Sequence, residues 1–279
     1  VSATLATGLW GAAHAGPMVW VSMGQDAYQL LREAGARMEQ IEQREVKVPL
    51  GKETLYLMRV DEAALPRLSH EVHEKLKRCG GYIAHATRDE GRRTIARFAA
   101  PPKQAIAPPT YAIHNAGEVN ALLPLLQESQ VRSTITKLST EYKNRYYTTT
   151  GGISASDGLK TTWKLLAGNR TDVTVKQYKH AAWPQKSVIL TIKGSTKPKE
   201  IVVLGGHMDS TIGFTNENSI APGADDDASG VASMQEVMRV LLASGYQPRR
   251  TLQFIAYAAE EVGLRGSAAN LPDGRVQVV

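Results

Sequence analysis

The chain has 279 residues, 42% of them hydrophobic, a formal net charge of +6 and a single cysteine. That is enough apolar material for one large or two smaller globular domains, and Cys79 on its own excludes an intramolecular disulfide. The Lys and Arg are scattered with little aromatic interleaving, which argues against nucleic acid as a partner, and no apolar run approaches the roughly 18 residues of a membrane-spanning helix.

The first 13 residues are small, apolar and uncharged, and Ala13-His14-Ala15 ahead of Gly16 fits an A-x-A cleavage site. A basic leader region is missing, but the pattern reads as a signal-peptide remnant over 1–15 and hence as a secreted or periplasmic protein. Met18-Val19-Trp20-Val21-Ser22 reads as a strand, and 25–37, with Ala27, Leu30, Leu31 and Ala34 at helical spacing, as a helix. A hairpin is expected from 46–50 and 54–58 around a Gly51-Lys52 turn. Residues 62–77 read as a second amphipathic helix, ended by Gly80-Gly81. These pieces make a small α+β domain over 17–100, and the Pro/Ala-rich 101–117 reads as a linker.

A second domain follows over 118–279. Helices are expected at 119–127, 131–142, 155–166 and 229–243, and strands at 173–178, 187–193, 201–204 and 251–258. The runs 201–204 and 252–258 are nearly continuously apolar, the pattern of strands buried on both faces. The alternation predicts an α/β fold: a central mixed, largely parallel sheet flanked by helices on both sides.

Chemistry concentrates at the ends of these elements. His207 and Asp209 follow one strand, Glu260 and Glu261 end another, and Asp225-Asp226-Asp227 immediately precede a helix. Ligands of open α/β sheets bind outside the carboxyl ends of the strands. One histidine and six carboxylates gathered there repel one another unless a cation sits among them. A divalent metal with imidazole and carboxylate ligands meets that need, and zinc makes water nucleophilic near neutral pH. Adjacent Glu260 and Glu261 can divide the roles of metal ligand and catalytic base. Asp209 can hold the far nitrogen of the His207 imidazole. Spacing does not distinguish the three Asp residues, which also suit a helix N-terminus.

Three ordered motifs carry a resemblance. Val203-Leu204-Gly205-Gly206-His207-Met208-Asp209-Ser210, Ala221-Pro222-Gly223-Ala224-Asp225-Asp226-Asp227-Ala228-Ser229-Gly230 and Ala256-Tyr257-Ala258-Ala259-Glu260-Glu261-Val262-Gly263-Leu264-Arg265-Gly266-Ser267 are similar to those of the two-zinc aminopeptidases of peptidase family M28, in particular its secreted bacterial leucyl aminopeptidases. The resemblance implies that His207 is a ligand of one zinc, that Asp226 bridges both, that Glu261 is a ligand of the other and that Glu260 is the general base acting on the zinc-bound water. It makes Asp209 the partner of the histidine, and Asp225 and Asp227 capping or hydrogen-bonded neighbours. It implies peptide substrates with a free N-terminus, and it makes 17–100 a propeptide-like segment; a monomer is expected. Family members carry a further Asp and a further His beyond the Glu-Glu motif, whereas 271–279 offers only Asp273 and no histidine. The expectation is a C-terminally truncated domain in which each zinc lacks one protein ligand and activity is low.

Other motifs carry less. His70-Glu71-Val72-His73-Glu74 fails H-E-x-x-H because position 74 is Glu, and Cys79 has no histidine pattern that would make it a nucleophile. Asn144 to Thr150 reads equally well as cleft lining or as packing. Two competing readings are a non-catalytic protein retaining a partial metal site, and another amidohydrolase or carboxypeptidase on the same scaffold.

Overall fold

The computed structural model describes residues 16–48, 51–78, 80–99 and 115–270, which divide into two units, Val1–Ala107 and Pro108–Val279. The expectations placed on 1–15, on Cys79, on most of 101–117 and on 271–279 fall outside the described residues.

The first unit is an antiparallel sheet of β1 (Met18–Gly24), β2 (Met38–Val48), β3 (Gly51–Asp61) and β4 (Tyr82–His85) in the order β2-β3-β1-β4. Its apolar residues are gathered into one core with Leu31 of α1 (Gln25–Glu33) and Leu65 and Leu68 of α2 (Leu65–Glu71). The hairpin forms, but Gly51 and Lys52 are not its turn. They pair with Val48 and Lys47 inside the ladder, because register follows the whole run of cross-strand pairs and not the nearest glycine. The helix expected over 25–37 stops at Glu33, where Gly35 turns left-handed at φ 67°. The helix expected over 62–77 is helical from Glu62 to Leu76 in three parts: a 3₁₀ turn, α2, and a wider turn over Val72–Leu76. Strand β4 and helix α3 (Arg88–Ala99) were not anticipated.

His85 on β4 is buried, with its Nε2 2.8 Å from Ser22 Oγ. Burial, only partly opposed by Glu90, pulls its pKa down to about 4. The folded state therefore binds this proton less readily than the unfolded chain does. The stabilisation is complete above about pH 6.5 and is lost as pH falls toward 4, on the order of 3 kcal/mol in all. Urea titrations of this unit's unfolding at pH 7 and pH 4.5 are expected to show that loss, and His85→Asn, which cannot take the proton, is expected to lose less over the same window. An equal loss in both proteins would refute the assignment.

The second unit is built on β5 (Val173–Tyr178), β6 (Ser187–Ile192), β7 (Lys197–His207) and β8 (Arg250–Tyr257), in the order β5-β6-β8-β7. The α/β class and the mixed sheet are as expected, but the sheet is not largely parallel. β7 and β8 pair in parallel, while β5-β6 and β6-β8 are antiparallel. The cause is connection length: residues 179–186 between β5 and β6 are too few for a parallel crossover, which takes a dozen or more. Only 208–249, carrying α7 (Gly230–Ala243), is long enough to return β8 beside β7 in the same direction.

The helices of this unit that enter its main core meet one set of strand residues. Val188, Leu190, Ile192, Phe254 and Ala256 form one face of the sheet. That face packs with Leu138 of α5 (Glu128–Thr140), Leu159 and Trp163 of α6 (Thr150–Ala167), and Val231, Met234 and Met238 of α7. β7 is an edge strand of this sheet, so Ile201 and Val202, expected to be buried, are 54% and 43% exposed. The short α4 (Ala116–Leu122) has no buried residue, and α8 (Arg265–Asn270) follows the second carboxylate motif. No described helix is long and apolar enough to cross a membrane.

Candidate metal centre

The parallel register brings the motifs together. His207, the last residue of β7, lies opposite Tyr257, the last of β8, and the ladder continues with Met208 N–H donating to Tyr257 O at 2.8 Å. Both chains leave the sheet at the same end, so the loop after β8 delivers Glu260 and Glu261 beside His207. Gly223, in a left-handed conformation at φ 49°, turns the chain into Asp225-Asp226-Asp227.

The His207 Nε2 lies 2.8 Å from Asp226 Oδ1 and 3.6 Å from Glu260 Oε2. Ligand atoms of Asp226 and Glu261 lie within 4.8 Å of one another. The imidazole is fixed from behind: its Nδ1 is 3.1 Å from Asp209 O and 3.6 Å from Asp209 Oδ1. The nearer partner is the backbone carbonyl, and the Asp209 carboxylate, fully buried, has a second task. Its Oδ1 accepts from Glu260 N–H at 3.0 Å and its Oδ2 from Glu261 N–H at 3.1 Å. Asp227 Oδ2 accepts from His207 N–H at 3.0 Å, and its Oδ1 accepts from Gly230 N–H at 2.8 Å, where α7 begins. Asp227 thus ties strand end to helix start, while Asp226 is left to face the imidazole.

The electrostatics describe a site dense in buried negative charge. Burial pushes Glu260 up to about 7, against the pull of His207, and holds Glu261 well above its usual range. Burial also raises Asp227. Desolvation alone would lower His207, but the Asp209 and Asp226 carboxylates, which accept from the imidazole, outweigh it, and its pKa stands well above the ordinary value. A divalent cation would let the carboxylates stay ionised and the imidazole neutral. The donor set fits one: two atoms sharing zinc at about 2.0–2.2 Å in tetrahedral geometry sit about 3.3 Å apart. The His207 Nε2 and Asp226 Oδ1 atoms, 2.8 Å apart, lie within about 0.5 Å of that separation.

Sequence reasoning did not single out Arg145. It is fully buried, and Asn144 beside it donates to Asn216 O at 3.0 Å and Ser219 O at 2.9 Å, pinning the loop between the two histidine- and aspartate-bearing motifs. No spacing in the sequence marks Arg145. The segment 144–150 therefore packs, holding the loops that carry the site. His180, Trp183 and Tyr147 form an aromatic cluster next to it: His180 stacks on Trp183 with ring centroids 4.6 Å apart, and Tyr147 meets Trp183 edge-on at 6.2 Å.

Residues 187–274 match the model of peptidase family M28. A leucine aminopeptidase 1 of Grosmannia clavigera is 39% identical over 160 residues, covering 54% of this chain and 38% of that protein. A probable aminopeptidase of Saccharomyces cerevisiae is 31% identical over 169 residues, covering 57% and 45%. The chain thus spans less than half the length of either relative. Among solved structures, the LapA aminopeptidase of Legionella pneumophila superposes with a TM-score of 0.68 at 23% identity, over 91% of this chain and 64% of that one. LapB of the same organism gives 0.67 at 25% identity, over 90% and 64%.

Proposed function

We propose, from the premise that residues 187–274 of this chain are a segment of peptidase family M28, that the protein is a zinc-dependent aminopeptidase releasing N-terminal residues from peptides. The observation that carries this reading is the convergence of His207 Nε2, Asp226 and Glu260 at the shared end of two parallel strands.

His207, Asp226 and Glu261 would hold the metal, and Asp226 is the residue the family resemblance makes common to two ions. Zinc held by these donors supplies Lewis acidity, which makes water nucleophilic near neutral pH and polarises a peptide carbonyl. Glu260 then acts as the base: its carboxylate takes a proton as the water oxygen attacks the carbonyl carbon. It returns that proton to the departing nitrogen as the C–N bond breaks. Asp209 holds the Glu260 and Glu261 backbones so that neighbouring carboxylates keep separate tasks. Export is read from Ala13-His14-Ala15, and a monomer is expected. The propeptide-like reading of 17–100 is supported by the separate core of the first unit.

The complete protein carrying this chain is expected to contain about two zinc ions per molecule and to cleave an aminoacyl anilide. Dialysis against a chelator is expected to abolish that cleavage and zinc to restore it. Cleavage that survives complete removal of zinc, or that releases the C-terminal residue of a peptide instead, would sink the reading.

A further inference from the structure

Arg145 is a fully buried cation that the chemistry above leaves unused. Its Nε donates to Met208 O at 2.7 Å, its Nη1 to Leu138 O at 2.9 Å and to Pro222 O, and its Nη2 to Gly223 O at 2.9 Å. Met208 lies between His207 and Asp209, and Pro222 and Gly223 lead into Asp225-Asp226-Asp227. Three of the four acceptors thus belong to the two loops that carry His207 and Asp226. The Arg145 N–H adds a bond to Ser210 Oγ at 3.0 Å, and Ser210 Oγ donates to Ala221 O at 2.8 Å. The approach is close: a Cβ on Gly223 would stand 2.8 Å from Arg145 Nη2.

A guanidinium buried this deeply is costly unless its donors and its charge are both answered. Four carbonyls answer the donors. The charge is answered through space by Asp209, Asp227, Glu261 and Asp226, in that order of influence. A lysine has three donors on a single nitrogen and cannot reproduce a planar fork reaching three segments.

We propose that Arg145 is a positioning residue for the metal centre: by stapling the Met208 carbonyl to the Pro222-Gly223 carbonyls it fixes the spacing between His207 and Asp226, and so sets the affinity for zinc. The proposal rests on the zinc reading above, and the two fail in different ways. A merely structural role, such as completing the end of α5 through Leu138, would lower stability without changing how tightly a folded molecule holds the ion.

The test is zinc affinity, measured by competition with a chromophoric chelator on metal-free protein. Wild type, Arg145→Met and Arg145→Lys are compared with Met238→Ala, a cavity variant in the α7 core remote from the loops. Arg145→Met is expected to bind zinc about 10- to 100-fold more weakly than wild type, the range seen when an outer partner of a metal ligand is lost. Arg145→Lys is expected to fall between, and Met238→Ala to keep wild-type affinity despite a lower melting temperature. If Arg145→Met does not fold, Arg145→Lys decides. Affinity in the folded Arg145 variants equal to wild type, or weakened no more than in Met238→Ala, overturns the proposal while leaving the zinc reading intact. A wild-type protein that binds no zinc overturns both.

Discussion

Glu260→Gln is expected to lower kcat for N-terminal cleavage by about 10²- to 10⁴-fold, the usual contribution of a positioned acid-base group, with zinc content unchanged. The amide keeps the size of the carboxylate and leaves the backbone bond from Glu260 N–H to Asp209 in place, so the supporting frame survives. What is lost is the one property the reaction needs from this side chain, an oxygen that takes a proton from water and gives it to the leaving nitrogen. Burial alone raises the Glu260 pKa to about 7, and a neighbouring cation would bring it back down, leaving an ionised carboxylate to accept the proton. Steady-state kinetics on an aminoacyl anilide, with metal analysis of the same samples, check this. Activity within a few-fold of wild type at full zinc occupancy would remove Glu260 from the mechanism.

Asp226→Asn acts one step earlier. The Asp226 side chain is 38% exposed and faces His207 Nε2, so the substitution removes charge without opening the core, unlike any change at the fully buried Asp209. An amide is a poor zinc ligand, and if Asp226 bridges two ions its loss weakens both. The expected fall in zinc affinity exceeds the roughly 10- to 100-fold typical of an outer partner, and the variant should lose metal on dialysis while its circular dichroism stays that of wild type. Retention of two tightly held zinc ions by Asp226→Asn would show that another carboxylate bridges them.

The residues of the site were legible because each motif is short and contiguous, and because strand ends are where α/β sheets present ligands. His207 and Asp226 needed only a strand before and a helix after them, both of which the apolar periodicity supplies. The arrangement around them was less legible. Helix α3 was missed; its buried face is only Gly91, Thr94 and Ile95. Gly91 is there for a reason visible only in three dimensions: a Cβ would lie 2.3 Å from Leu57 Cδ1. The direction of β5 relative to β6 could have been read from the brevity of 179–186. Arg145 could not have been, since a buried guanidinium satisfied by carbonyls leaves no spacing in the sequence; its partners, Leu138, Met208, Pro222 and Gly223, are up to 78 residues away.

The two amides that Asp209 holds have a thermodynamic consequence. Glu260 and Glu261 are presented by a turn whose backbone is already tied down by the protein itself, and His207 is steadied from its far side by the same residue. An ion entering such a cradle orders little of the chain, so association sacrifices little conformational freedom. Its heat capacity change should be correspondingly small, because the backbone that carries the donors is already bonded in place. Metal capture at such a site would in that sense be an exchange of water for preset donors, in contrast to the small zinc modules whose fold and ion arrive together.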